Sequence, residues 1–206
     1  TRATWSWTID TTPSGAFDVI GVTGGADTTK DAILGTTLTP TVWWTVSSDA
    51  VNYVVSILSD DGTTTVCAEK STAQTNYAFI PADCTLVDGA YYRAKVVALD
   101  TAGLSRAAAL FRFTVDVTPP QINITGPMVN DDQKSAKFDF TITDTNTGVA
   151  DAMCKRTYKG VDQVFACKDL TTYTFTNLQD GDHVFSISAV DRAGNSSMSA
   201  PITWKV

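Results

Sequence analysis

The sequence predicts an all-β chain built as two tandem, seven-stranded antiparallel β-sandwiches, and three observations carry that prediction. First, one motif recurs: Thr4–Pro13 (TWSWTIDTTP) returns as Leu110–Pro120 (LFRFTVDVTPP), and its first half returns as Ile202–Val206 (ITWKV). Each copy alternates large apolar and polar residues, the period of a half-buried strand. Second, two copies run into Asp-x-Thr-Pro, at Asp10–Pro13 and Asp116–Pro119. Proline lacks an N–H for a strand ladder and holds the preceding residue extended, so a strand stops there and a stiff link begins. Third, Val96–Gly103 (VVALDTAG) aligns with Ile187–Gly194 (ISAVDRAG), a second repeat in register with the first. Thr12 to Thr118 and Val115 to Val206 each span the roughly 100 residues of a seven-stranded sandwich.

The expected boundaries follow. Residues 1–13 are the last strand and linker of a preceding module, 14–117 the first sandwich and 118–206 the second. Opening on one module's closing strand and stopping on another's, the chain reads as an excerpt from a longer protein.

In the first module, Phe17–Val22 is an apolar run closed by Thr23-Gly24-Gly25, a strand and a turn. Ala26–Thr39 is polar and glycine-containing, a long loop with room for one short strand. Pro40–Ser47 alternates, with Val42, Trp44 and Val46 on one face. Tyr53, Val55 and Ile57 follow, ending at Asp60-Asp61-Gly62, a hairpin signal. Thr64–Glu69 and Tyr77–Ile80 are shorter strands, and Tyr92–Ala98 and Phe111–Val115 complete the set. The second module repeats the plan: Ile122 and Ile124 before a Gly126-Pro127 turn, Phe138–Ile142, a hairpin of Ala152–Tyr158 with Gln163–Cys167, Tyr173–Phe175, His183–Ala189, and Ile202–Val206.

Composition narrows the function classes. The net charge of −7, with no Lys/Arg cluster, argues against nucleic acid and anionic membrane surfaces as partners. No apolar run approaches the ~18 residues that would insert in a membrane. The four cysteines fall two per module, Cys67 with Cys84 and Cys154 with Cys167. An even count within each repeat reads as disulfides formed in an oxidising compartment, with free thiols as the alternative. Zinc fits poorly, since there is no Cys-x-x-Cys and the chain has one histidine. That residue, His183, takes the inward position that Tyr92 holds in the first module, so a structural role is expected of it. No catalytic constellation is legible, and the chain is read as no enzyme.

Two chemistries remain. Asp10 and Asp116 in the linkers, with Asp100 and Asp191 in the turns after the sixth strands, are candidate calcium ligands at module junctions. Calcium takes six to eight oxygens, and aspartates near module ends can supply them. The competing reading is local, since aspartate caps turns by accepting from nearby backbone N–H groups. Asp144–Gly148 (DTNTG) has half the look of a calcium loop, but is one residue short and is read as a turn. Trp5, Trp7, Trp44 and Trp204 fall on the apolar phase and are expected in the core. Trp43 and Tyr91 fall on the opposite phase, where an aromatic can stack on a sugar ring or anchor a partner.

Leu86-x-x-Gly89-x-x-Tyr92 resembles the tyrosine corner of fibronectin type III and immunoglobulin-like sandwiches. The second module resembles the bacterial immunoglobulin-like repeats found in tandem on large surface or adhesin proteins. That likeness rests on Cys154 and Cys167 across a hairpin, on Leu178–His183 (LQDGDH) and on Ala189–Asn195 (AVDRAGN). It implies a non-enzymatic segment of a bacterial cell-surface or secreted protein, an adhesin or fibre, spacing or presenting a binding function. Its partners would be neighbouring immunoglobulin-like modules of the same chain and a host or prey cell-surface protein or glycan. Two alternatives stand beside it: the segment is itself a carbohydrate- or protein-binding tip, or it is an accessory module of a secreted hydrolase.

Overall fold

The computed structural model describes residues 8–22, 32–34, 37–129 and 134–206. Every regular element in it is a strand. The chain divides into two compact units, Thr1–Val115 and Asp116–Val206, a division two residues before the expected one. The strand expected over residues 4–9, with Trp5 and Trp7, lies largely outside the described residues, and residues 8–18 form no strand.

In the first unit the strands are β1 (Val19–Val22), β2 (Ala32–Leu34), β3 (Thr41–Trp44), β4 (Asn52–Ser59), β5 (Thr65–Thr72), β6 (Asn76–Ala78), β7 (Tyr91–Leu99), β8 (Ser105–Ala107) and β9 (Phe111–Val115). They build two sheets, ordered β1-β3-β6 and β2-β9-β7-β4-β5, with β8 also paired to β7. Period-two alternation sends one face of each strand inward. Tyr92, Ala94, Val96 and Ala98 of β7 are buried with Tyr53, Val55 and Ile57 of β4, Val42 and Trp44 of β3, and Phe113 of β9. All pairings are antiparallel except one: β2 runs parallel to β9, Ala32 opposite Phe113. The chain leaves β1 in the smaller sheet and reappears as β2 on the free edge of the larger one, covering ladder groups that would otherwise be open to other chains. This is the short strand allowed within Ala26–Thr39.

In one place the alternation ends earlier than expected. β3 stops at Trp44, and Val46, expected inside, is 72 % exposed. Thr45 N turns instead to Asp18 O (2.9 Å), and Ser47 N donates to the Tyr53 hydroxyl (2.9 Å). These bonds replace ladder bonds, and the strand's phase is lost with them.

The second unit holds β10 (Gln121–Val129), β11 (Ala136–Thr143), β12 (Val149–Tyr158), β13 (Val161–Ala166), β14 (Thr172–Phe175), β15 (Asp182–Asp191), β16 (Ser196–Met198) and β17 (Ile202–Lys205). Its sheets are β10-β11-β14 and β13-β12-β15, the latter extended by β16 and β17, both paired to β15. Between the sheets Phe138, Phe140, Phe175, Phe185, Ile187 and Trp204 are buried. Phe138 is the hub, its ring centroid 4.5 Å from Phe185 and 5.1 Å from Trp204. Gly126-Pro127, expected to turn the chain, instead makes a bulge inside β10, where the register with β11 shifts between Thr125 and Met128. Proline, which cannot donate, is tolerated at such a point. Gly126 sits at φ 121°, and a Cβ on it would lie 2.8 Å from the Lys137 carbonyl oxygen.

The last strand of each unit is written in two pieces, β8 with β9 and β16 with β17. Pro201 lies in the second interruption, where its missing N–H leaves a gap in the ladder.

Candidate functional site

The repeat in sequence becomes a repeat in local bonding. Asp10 Oδ1 accepts from Thr12 N at 2.9 Å, and Asp116 Oδ1 accepts from Thr118 N at 3.2 Å. Asp100 Oδ1 accepts from Leu104 N and Asp191 Oδ1 from Asn195 N, four residues on in each case. Up to this point the four aspartates do what aspartate does in any turn.

Tertiary packing separates them. Asp10 is exposed, and Asp100 is buried with Oδ2 unpartnered. Neither joins a cluster of three metal-binding side chains among the described residues. Asp116 and Asp191 do, and the third member is Asp144: one carboxylate oxygen from each lies within 4.8 Å of the others. Asp116 and Asp191 are buried and Asp144 half-buried. Neutral groups surround them. Asn195 Nδ2 donates to Asp191 Oδ2 and to the Asp116 carbonyl, both at 2.8 Å. Thr147 Oγ1 donates to Asp116 Oδ2. Asn146 N, Thr147 N and Gly148 N all donate to Asp144 Oδ1. No lysine, arginine or histidine among the described residues bridges to the three. Like charges this close repel, and burial weakens the solvent screening that would relieve them. A hard divalent cation with oxygen ligands fits the donor set. DTNTG, expected to be a plain turn, is a turn that contributes Asp144 to this cluster. The Asp-x-Asn spacing was the available signal; what sequence could not show is that this turn meets Asp116 and Asp191.

Trp43 and Tyr91 point outward, 44 % and 42 % exposed, but from different sheets of the first unit. They form no common site. Tyr91 is partly covered, because the Arg112 guanidinium lies 4.0 Å from its ring centroid. Arg112 in turn grips Asp60 through Nε (2.7 Å) and Nη2 (3.0 Å), and these bonds hold the Asp60 carboxyl below its ordinary range. Among the described residues no cation lies over the Trp43 ring.

Two disulfides are present. Cys67 on β5 bonds Cys84 in the β6–β7 crossover, tying the edge of the larger sheet to the segment that leaves the smaller one. Cys154 on β12 bonds Cys167, just past β13, within one hairpin. Both pairs are buried.

The corner residues complete the picture. The Tyr92 hydroxyl accepts from Val87 N at 2.9 Å. His183 occupies the matching place and ties the matching loop with opposite polarity, its Nε2 2.9 Å from the Gln179 carbonyl. It is wholly buried, as a structural role requires.

With two stapled sandwiches and a tyrosine corner described, known structures can be compared. The FN1–FN3 domains of chicken CNTN1 align over 94 % of this chain and 67 % of theirs, at 11 % identity and a TM-score of 0.50. The fold is the fibronectin type III-like sandwich. Fibronectin(III)-like modules of Clostridium thermocellum CbhA align over 89 % of this chain and 91 % of theirs (18 % identity, TM-score 0.47). A 1.5-MDa bacterial ice-binding adhesin aligns over 95 % of this chain, which spans 65 % of that structure (15 % identity, TM-score 0.47). No family model and no curated protein matches the chain. At these identities the likeness speaks for fold alone. Paired cysteines add an oxidising, extracellular-type setting. Among the described residues no helix is long and apolar enough to cross a membrane.

Proposed function

We propose that this chain is a non-enzymatic modular segment of a bacterial cell-surface or secreted protein, an adhesin or fibre, which spaces or presents a binding function. The observation that supports the reading is the serial repetition of one sandwich design, each copy stapled by one disulfide and closed by the same turns and corner. Binding of the purified chain to glycan arrays and to cell-surface protein extracts tests it. A spacer gives no saturable binding.

A second reading is favoured by one observation, the exposed Trp43 on β3: the segment is itself a carbohydrate- or protein-binding tip. Saturable binding that Trp43→Ala weakens tenfold or more would establish the tip and displace the spacer. Stacking on an exposed indole is worth enough for that effect, as anchor aromatics commonly cost about 2 kcal/mol or more on truncation.

Calcium belongs to the same proposal as a brace inside the second unit, held by Asp116, Asp144 and Asp191. Free ligand at a hundredfold its dissociation constant adds about 2.7 kcal/mol. In a sandwich of this size that is on the order of 10–20 °C in the unfolding midpoint. The expected result is a higher midpoint in calcium chloride than in EGTA, with the difference abolished in Asp144→Asn. Equal midpoints in the two buffers would remove calcium from the account.

A further inference from the structure

We propose that the outer face of the larger sheet in the second unit is a docking groove for an extended segment of a partner protein. That segment carries a basic and an apolar side chain two residues apart. The groove uses neither Trp43 nor the three clustered aspartates, so it stands apart from the tip and calcium readings. Burial fixes which side chains build it. On β12 Ala152 and Cys154 are buried, which turns Asp151 and Met153 outward. On β15 Ile187 and Ala189 are buried, which turns Ser188 and Val190 outward. From β16, Ser196 and Met198 join the same face.

The ladder sets these side chains in two rows. Met153, Ser188 and Met198 stand opposite one another in the first, and Asp151, Val190 and Ser196 in the second. In the first row a short side chain stands between two long ones. The result is an open groove along β15, floored by Ser188 and Val190 and walled by the two methionines. Its volume is about 430 Å³, within the range of ligand-sized sites. Met198 is 73 % exposed and Met153 half-buried. The unbranched thioether of each lets the walls adjust to whatever lies between them.

The lining specifies the occupant. Asp151 is the one charged residue in it, and no lysine, arginine or histidine lines the groove. Asp151 Oδ1 accepts from Ala152 N at 2.8 Å, and among the described residues its carboxylate has no ion-pair partner. Lys155, the next outward cation on β12, is turned to Asp162 at 3.5 Å instead. A carboxylate at one end of an apolar groove selects a cation carried on an apolar chain. The net charge of −7 steers the same sign of partner and repels an anionic membrane surface, which could also bury methionines. The rows set the spacing. Two residues along a strand cover about 7 Å, and an extended peptide repeats on one face at that interval. Its apolar side chain enters between the methionines while the basic one, two residues away, reaches Asp151.

The chain has three methionines, and their methyl resonances separate the groove from a control. Met153 and Met198 line it, and Met128 lies on β10 in the other sheet. Titrating the full methyl-labelled chain at pH 7 with acetyl-Thr-Lys-Thr-Leu-Thr-amide is the test. The expected result is a saturable shift at Met153 and Met198, well above any at Met128, with affinity at least threefold weaker in Asp151→Asn. The same peptide with glutamate in place of lysine is expected to bind the wild-type chain at least fivefold more weakly. That comparison needs no variant to fold. Ser188→Leu, which fills the groove from an outward position, should abolish the saturable shifts. Absence of a saturable shift, an equal shift at Met128, equal binding of the glutamate peptide, or unchanged affinity in a folded Asp151→Asn or Ser188→Leu would each overturn the assignment. Shifts of Met153 and Met198 on concentrating the chain without peptide would make a second copy the occupant, and would overturn it too.

Discussion

Phe138→Ala is expected to cost the second unit about 3–5 kcal/mol, the range for truncating a fully buried phenylalanine. The ring has no exposed surface, and it touches both sheets through Phe175, Phe185 and Trp204. Its loss removes the transfer free energy of the ring and leaves a void that three rigid aromatics cannot collapse to fill. Total stabilities of such domains are roughly 5–15 kcal/mol, so a cost of about 3–5 kcal/mol removes at least a fifth and, in the least stable case, nearly all of it. The midpoint should fall by on the order of 15–30 °C. Thermal unfolding followed at the His183 imidazole resonance reports this unit directly. Phe138→Leu, which keeps most of the volume, should lose far less. A midpoint for Phe138→Ala within a few degrees of wild type would mean the aromatic cluster is not what holds these sheets together.

Removing the Cys67–Cys84 bridge is the second large effect. The bond closes a separation of 17 residues, for which the chain-entropy estimate is about 3 kcal/mol. More than entropy is involved, because this bridge ties β5, the edge of the larger sheet, to the crossover after β6. Cys67→Ala with Cys84→Ala should lower the first unit's midpoint by on the order of 10–20 °C and expose the β5 edge to protease. Reductant applied to the wild-type chain should reproduce the loss once thiol titration shows the bond is open. If the doubly substituted chain melts with the wild type, the sheets are held by packing alone. The Cys154–Cys167 bridge spans 13 residues inside a hairpin already paired from Met153↔Ala166 to Tyr158↔Val161. It constrains less that is not constrained by the ladder.

These two cases show which parts of the molecule a reader of the chain can see. Phe138, Phe140 and Ile142 were legible as a strand because alternation survives wherever one face is buried, although Ile142 itself is only partly buried. Tyr92 was legible because a corner is local: the hydroxyl reaches a backbone N–H five residues away. Val46 misled, since its phase is right but the strand has already ended in bonds to Asp18 and Tyr53, one of them 27 residues distant. Gly126-Pro127 misled for a related reason. The same pair serves a turn or a bulge, and the β11 backbone opposite decides which.

What the sequence by itself determined is therefore periodic or local: the all-β class, the inward faces, the two-unit plan, the aspartate-capped turns at Asp10, Asp100, Asp116 and Asp191, and one cysteine pair per unit. Side-chain phase and short-range hydrogen bonds set all of these, and both are written in neighbouring residues. Tertiary structure alone decided which aspartates meet, adding Asp144 to Asp116 and Asp191 while leaving Asp10 and Asp100 apart. It alone sent β2 to the edge of β9, set Trp43 and Tyr91 on different sheets, and placed Met153 and Met198 on either side of Ser188. Each of these depends on residues tens of positions apart being brought within a few ångströms. That distance is set by how two sheets close over a shared core, and no local pattern records it.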